Sequence, residues 1–224
     1  MKVLMINGSP KAHGCTDTAL REVEKALNAY GIETETLCLG KKPVAGCIDC
    51  SACAETGRCV FQDKVNEVLD RLDTIDALIV GSPVYYAGPS GQVTAFLDRL
   101  FYAGKGRMAG KPGAAVVSCR RGGATAAFDR LNKYFSISSM PIVTSQYWNQ
   151  VHGNTPEEVM QDREGLQTMR TPVSYTHLDV YKRQPRICAG HKGRTGYSGL
   201  RYYRSVRRGN GRIPGMRTAA CACG

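Results

Sequence analysis

The stretch "IDALIVGSPVYYAGPSGQVTAFLDR", residues 75–99, changes character twice. It opens as an apolar run that stops at Gly-Ser-Pro, the pattern of a strand covered on both faces inside a parallel sheet. It closes with "GQVTAFLDRLFY", which reads as a helix. Between the two lie Pro83, Val84, Tyr85 and Tyr86 and then "GPSG". A buried strand that feeds a loop and then a helix is the building unit of an α/β sheet, and the fold follows if the unit recurs.

It recurs on both sides. "KVLMING", residues 2–8, is a short apolar strand ending in Gly, followed by "TDTALREVEKALNAYG", where Ala19, Val23, Ala26, Leu27 and Tyr30 fall at helical spacing and Gly31 suits a helix end. "IETETLCL" reads as a second strand, and "DKVNEVLDRLDT" as a helix with Val65, Val68, Leu69 and Leu72 on one face. Beyond residue 99, "GAAVVSC" is a fourth strand, "TAAFDRLNKYF" a helix and "MPIVTSQYW" a fifth strand. "TPEEVMQDREGLQTMR" opens a last helix, with Thr155 as N-cap, Pro156 at the first position and Glu158 three residues after the cap. The alternation predicts one α/β domain over residues 1–170, a doubly wound five-stranded parallel sheet with helices on both faces and its last helix truncated. In such sheets ligands bind beyond the carboxyl ends of the strands, where the strand order reverses. The loops after strands one, three and four are therefore the ones to read for chemistry.

The first, "NGSPKAHGCTDT", offers Gly8 and Gly14 for close backbone approach and the hydroxyls of Ser9, Thr16 and Thr18 beside a helix N-terminus that favours a phosphate. It lacks GxGxxG and the P-loop pattern, which disfavours a dinucleotide or ATP site. A plain turn with Thr16 as N-cap is the competing reading. In the second loop, Pro83 to Tyr86 place aromatic and backbone groups where a flat heteroaromatic ring could lie; core or interface packing of Tyr85 and Tyr86 is the alternative. Arg120 and Arg121, in the third loop "SCRRGGAT", could meet a nicotinamide phosphate or simply lie at the surface. His13 and His152 are candidate proton donors or ordinary solvated side chains, and Trp148 suits packing or a subunit contact.

Through "GSPKAHGCT", "GSPVYYAGPSGQVTAFLDR" and "SCRRGGAT" the chain resembles the flavodoxin-like NADPH-dependent FMN reductases, in particular the iron-sulfur flavoproteins, over essentially all of residues 1–170. The resemblance implies a flavodoxin-like fold. It implies that Ser9, Thr16 and neighbouring backbone hold the FMN phosphate with Lys11 adding charge. It implies further that Pro83, Val84, Tyr85 and Tyr86 line the isoalloxazine, and that Ser118 to Gly122, Arg120 included, border its pyrimidine end. Cys15 stands where the family often has Asn. The implied activity is transfer of hydride from NAD(P)H to FMN and of electrons onward to a quinone, flavin or protein acceptor, in a homodimer or homotetramer. No catalytic side-chain acid or base is expected, since the flavin carries the chemistry. A non-enzymatic electron carrier or a cysteine-loop redox sensor is the alternative.

"GCIDCSACAETGRC", residues 46–59, has the spacing C-x2-C-x2-C-x5-C. Cys47, Cys50, Cys53 and Cys59 are close enough in sequence to converge on one small volume, which suits a [4Fe-4S] cluster and resembles the compact motif of iron-sulfur flavoproteins. A metal-free redox or structural loop stays open. Zinc is the weaker candidate, because its sites more often use two CxxC pairs set further apart.

The net charge of +11 would ordinarily suggest a nucleic-acid partner, but it is unevenly placed. Residues 1–170 hold nineteen basic and eighteen acidic side chains; residues 171–224 hold eleven basic and one acidic. "PVSYTHLDVYKRQ", residues 172–184, can be back-translated into a perfect inverted repeat that resembles a transposon mosaic end joined head to head. That is a symmetry of DNA rather than of protein. Residues 171–224 are accordingly expected to be an artefactual or disordered basic tail, and no nucleic-acid function is expected. The absence of a secretory signal or a membrane-length apolar run, with seven cysteines in residues 1–170, leads to the expectation of a cytoplasmic, thiol-reducing setting and no membrane partner.

Overall fold

The computed structural model describes residues 1–174. Nearly all of the expected tail lies outside the described residues. In chain order the elements are β1 (Lys2–Asn7), α1 (Cys15–Ala29), β2 (Glu33–Cys38), α2 (Cys53–Thr56), α3 (Lys64–Asp70), β3 (Ala77–Tyr85), β4 (Gly88–Pro89), α4 (Gly91–Gly104), β5 (Gly113–Cys119), α5 (Ala124–Ile137), β6 (Gln150–His152), α6 (Pro156–Gln161) and α7 (Arg163–Ser174). The parallel strands run in the order β2-β1-β3-β5-β6, with β4 folded back antiparallel on β3. The chain starts in the middle at β1, goes outward to β2 and returns to β3 on the other side of β1. The order therefore reverses between β1 and β3, and their carboxyl ends flank the crevice where a ligand can enter.

Period-two alternation within the apolar strands builds two cores at once. Leu4 and Ile6 of β1, Leu78 and Val80 of β3, and Ala115 and Val117 of β5 face α3, α4 and α5, where Val65, Leu69, Phe96, Leu100, Leu131 and Phe135 cover them. Val3 and Met5, Ala77 and Ile79, and Ala114 and Val116 face the opposite layer of Leu20, Val23, Leu27, Val159, Leu166 and Met169. This is why the runs read as continuously apolar. Gly113 lets α5 press onto the sheet, since a Cβ there would lie 2.6 Å from the Phe135 ring.

Two elements depart from the sequence pattern. The fifth strand is Gln150–His152 and not residues 140–148. The expected stretch touches β5 at its start: Gly113 N donates to Pro141 O (2.9 Å) and Val143 N to Gly113 O (2.8 Å). Pro141 has no N–H for a ladder, and the chain leaves the sheet until Asn149 O accepts from Val117 N (2.9 Å). Tyr147 and Trp148 sit on the resulting excursion, about half exposed, with ring centroids 5.0 Å apart. The last helix is also two. Asp162 ends α6, and its carboxylate accepts from Gly165 N (2.9 Å) in α7 and from His152 N (2.7 Å) in β6, so one side chain joins three elements. At the start of α6 the expected cap is present, Thr155 Oγ1 accepting from Glu158 N (3.3 Å) with Pro156 at the first position.

Candidate functional site

The loop from β1 to α1 is shaped by its own short side chains. Buried Asn7 accepts from Ser9 N (3.0 Å), and Ser9 Oγ accepts from Lys11 N (3.1 Å). Helix α1 follows Gly14 with no side-chain cap, so its first-turn N–H groups remain available to an anion. Asp17, in that turn, is drawn aside by Arg21 (2.8 Å). Thr16 is not the N-cap: it lies inside the first turn, buried, with its hydroxyl 2.8 Å from that of Ser118 at the end of β5. Lys11 is exposed. Cys15 is half-buried with its thiol directed to Gly153 O (3.7 Å), and burial pushes that thiol above its ordinary range, away from nucleophilic use.

The loop after β3 is a tight hairpin. Val84 pairs with Pro89 and Tyr85 with Gly88, leaving Tyr86 and Ala87 at the turn with φ of 49° and 59°. Two positive φ values are what a type I′ turn demands; without glycine they cost strain of the order of 1–3 kcal/mol each. The turn leaves the Tyr86 side chain fully exposed and Tyr85 half exposed, while Pro83 and Val84 are half-buried beneath them.

Three further contacts lock the loops together. Ser90 Oγ donates to Gly8 O (2.7 Å), Ser90 N donates to Ser82 Oγ (2.9 Å), and Gly8 N donates to Gly81 O (2.8 Å). Gly123, at φ 91°, lies so close to the hairpin that a Cβ would come within 2.8 Å of Ala87 Cα. Arg120 and Gly122 are exposed on the third loop, whereas Ser118 is buried. Free N–H groups and hydroxyls on one side, and an aromatic hairpin on the other, are a donor set that fits an anionic tail attached to a flat ring. His13, exposed in the first loop, lies 3.5 Å from Asp17, and His152, at the end of β6, lies 3.7 Å from Asp162.

The second assembly is the cysteine loop. Cys47, Cys50, Cys53 and Cys59 all line one small, partly open cavity of about 20 Å³, together with Phe61, Arg99, Tyr102 and Ala103; Cys53 is buried and Cys59 half-buried, whereas Cys47 and Cys50 are exposed. All four are free thiols. The backbone on either side of Cys50 is left-handed, at Asp49 (φ 52°) and Ser51 (φ 58°), a costly conformation that the surroundings must impose. Burial pushes the Cys53 thiol up, and like charge on the other three cysteines adds to this. Among the described residues no three His, Cys, Asp or Glu side chains converge tightly enough to hold a metal ion as they stand. The donor set nevertheless fits a soft, thiolate-bound centre, with four cysteines lining one cavity and neither carboxylate nor imidazole among its lining residues.

Two residues here escape sequence reading, and a third carries only a local signal. Arg99 is buried and donates to Cys59 Sγ from Nε (3.1 Å) while its two Nη atoms meet Asp63 (2.7 and 2.9 Å). Asn66, also buried, accepts from Cys59 N (2.8 Å) and donates to Cys59 O (2.8 Å) and Phe61 O (3.0 Å). Asp63 at the start of "DKVNEVLD" does carry a local signal, as N-cap of α3 accepting from Val65 N (3.0 Å). Arg99 and Asn66 carry none: the partners of Arg99 lie 36 to 54 residues away, and those of Asn66, though near in sequence, are mostly backbone groups that no side-chain pattern marks.

A family model described as NADPH-dependent FMN reductase matches residues 1–155. Among curated relatives, iron-sulfur flavoprotein MJ1083 of Methanocaldococcus jannaschii is 36% identical over 178 residues, covering 76% of this chain and 92% of its own length. Two solved structures share the fold at low identity. The flavodoxin, WrbA-like protein from Agrobacterium tumefaciens has a TM-score of 0.55 at 16% identity, over 82% of this chain and 99% of that one. RosB with bound 8-demethyl-8-formylriboflavin-5'-phosphate has a TM-score of 0.67 at 14% identity, over 99% and 96%. With a flavodoxin-like sheet, a family model matching residues 1–155 and a relative 36% identical over 76% of its length, the chain belongs to the NADPH-dependent FMN reductase family, in its iron-sulfur flavoprotein branch, and is an FMN-dependent oxidoreductase.

Proposed function

We propose that the three loops at the carboxyl ends of β1, β3 and β5 hold FMN, that NAD(P)H is the electron donor, and that Cys47, Cys50, Cys53 and Cys59 hold a [4Fe-4S] cluster through which electrons leave for a quinone, flavin or protein acceptor. The observation that carries this is the common lining of one small cavity by all four cysteines, against Arg99, Tyr102 and Ala103 of α4, the helix whose N-cap is bonded into the first loop. The α1 N–H groups and Ser9 receive the phosphate, with Thr16 and Lys11 beside them. The hairpin of Pro83 to Tyr86 flanks the ring, and Ser118, Arg120 and Gly122 border its far end. Bound FMN supplies the exchange between two-electron and one-electron chemistry; the protein orients it and limits water.

The test is a visible spectrum with iron and flavin analysis of protein purified without oxygen. About four irons and four sulfides per chain are expected beside one FMN, and Cys50→Ala is expected to remove the iron while leaving the flavin. Steady consumption of NADPH with a quinone or free flavin separates an enzyme from a pure carrier. Stoichiometric zinc, or four freely titrating thiols after anaerobic reconstitution, would refute the cluster and leave the flavin reading intact. Ser9→Ala with Thr16→Ala addresses the flavin: hydrogen bonds to a charged phosphate are each worth about 1.5–3 kcal/mol, so FMN retention should fall clearly. Unchanged affinity would move the phosphate elsewhere. A homodimer or homotetramer is the expected assembly.

A further inference from the structure

We propose that Arg99 is the positioning residue of the cysteine cavity: its guanidinium fixes Cys59 and raises the reduction potential of the centre that the four thiols hold. The proposal rests on the cluster reading above and goes beyond it, since it concerns a residue outside the four ligands.

Arg99 is 1% exposed, an unusual setting for a cation, and each edge of its guanidinium has a defined partner. Nε faces Cys59 Sγ (3.1 Å). Nη1 donates to Asp63 Oδ2 (2.7 Å) and Ala45 O (3.2 Å); Nη2 donates to Asp63 Oδ1 (2.9 Å) and Phe61 O (3.4 Å). The flat face lies over the Phe61 ring, 4.9 Å from its centroid. Ala45 and Phe61 bracket the cysteine loop, so one planar fork ties the two ends of the loop together and points its remaining N–H at the sulfur between them. A lysine, with a single ammonium, could not serve both edges. Asp63 takes the outer edge and is the more exposed partner, at 30% against 1%, which leaves the edge facing the sulfur as the desolvated positive one. Hydrogen bonds and positive charge at cluster sulfurs favour the reduced, more negative state.

The placement in the fold links this to the flavin. Arg99 lies eight residues into α4 from Gly91, a rise of about 12 Å along a single rigid helix whose N-cap, Ser90, is bonded to Gly8. The group that sets the cysteine cavity is thus carried by the element that helps to set the flavin loop.

The experiment compares anaerobic wild-type protein with Arg99→Gln and Asp63→Asn by redox titration of the iron signal, with FMN content as the control for folding. Asparagine caps helices as well as aspartate, so Asp63→Asn is expected to keep α3 while removing the charge that offsets Arg99. Arg99→Gln is expected to lower the potential by at least a tenfold change in the reduction equilibrium, 59 mV for a one-electron couple, and Asp63→Asn to raise it. A merely structural role cannot give shifts of opposite sign. An unchanged potential in Arg99→Gln, or shifts of the same sign, would overturn the proposal. If Arg99→Gln loses FMN as well, Asp63→Asn alone decides: a rise supports the inference and no rise overturns it. If the wild-type protein holds no iron, the cluster reading fails by itself. Amide hydrogen exchange over residues 45–63 then judges Arg99, faster exchange in Arg99→Gln supporting the clamp and unchanged exchange overturning it.

Discussion

Single residues hold the candidate site by close approach and by charge. Gly123 is the sharpest case, because its φ of 91° and a prospective Cβ contact of 2.8 Å with Ala87 both exclude a side chain. Gly123→Ala is expected to cost about 1–3 kcal/mol in denaturant unfolding and to displace the β3–β4 hairpin. An unaltered unfolding midpoint would show that the third loop yields freely. Charge acts at Glu35 on β2, whose carboxylate is held below its ordinary 4.5 chiefly by hydrogen bonds from Arg71 (2.5 and 2.6 Å), with Lys2 assisting. A carboxyl with a depressed pKa in the fold contributes stability that is fully present above its unfolded value and drains away as pH falls through the folded one. Glu35→Gln should therefore lower stability at pH 7 and shrink the loss between about pH 4.5 and the acid range. The check is the thermal midpoint of both proteins measured from pH 7 to pH 3.

At the scale of elements, α4 is the strut between the two assemblies. Its cap ties the helix to the sheet at two places: Ser90 Oγ accepts from Val93 N (3.3 Å) and donates to Gly8 O (2.7 Å) just beyond β1, and Ser90 N donates to Ser82 Oγ (2.9 Å) in β3, in a position only 3% exposed. Replacing a capping Ser by Ala costs roughly 0.5–2 kcal/mol, and here a buried carbonyl loses its donor as well. Ser90→Ala is expected to show at least that loss in chemical denaturation, together with weaker retention of FMN. Should stability fall while flavin affinity stays unchanged, the first loop holds its shape without α4. The split of the last helix belongs to this scale too. Asp162 caps α7 and bonds β6, so the two short helices form one corner rather than one rod.

For the molecule as a whole, the decisive feature is that both faces of the sheet are covered within residues 1–174. Leu166 and Met169 of α7 are buried in the face shared with α1, and Thr171 is buried as well, so the sequence boundary at residue 170 falls inside the last helix. A chain ending at Ser174 is expected to match the full chain in thermal midpoint and flavin content and to have no affinity for nucleic acid. Retention of the full chain on DNA at physiological salt, absent from the shortened one, would show that the basic segment is functional. Among the described residues no helix is long and apolar enough to cross a membrane.

What the sequence by itself determined is what local patterning encodes. Apolar runs at residues 3–6, 77–80 and 113–117 must be buried on both faces, helical spacing in α1 and α5 gives each one apolar side, and Gly-Ser-Pro and the C-x2-C repeats punctuate the loops that matter. The doubly wound parallel sheet followed from that alternation, whereas the order β2-β1-β3-β5-β6, and hence the crevice between β1 and β3, came from the tertiary structure. The fifth strand did not follow either, because the β-branched Ile142, Val143 and Thr144 look strand-like locally, yet beyond a single bridge from Ile142 to Gly113 only Gln150–His152 pairs with β5 in register. The cysteine spacing placed four thiols near one another. Only the tertiary structure decided that they share a cavity with a buried guanidinium from α4, forty residues beyond Cys59, because that contact joins atoms with no sequence period to announce them.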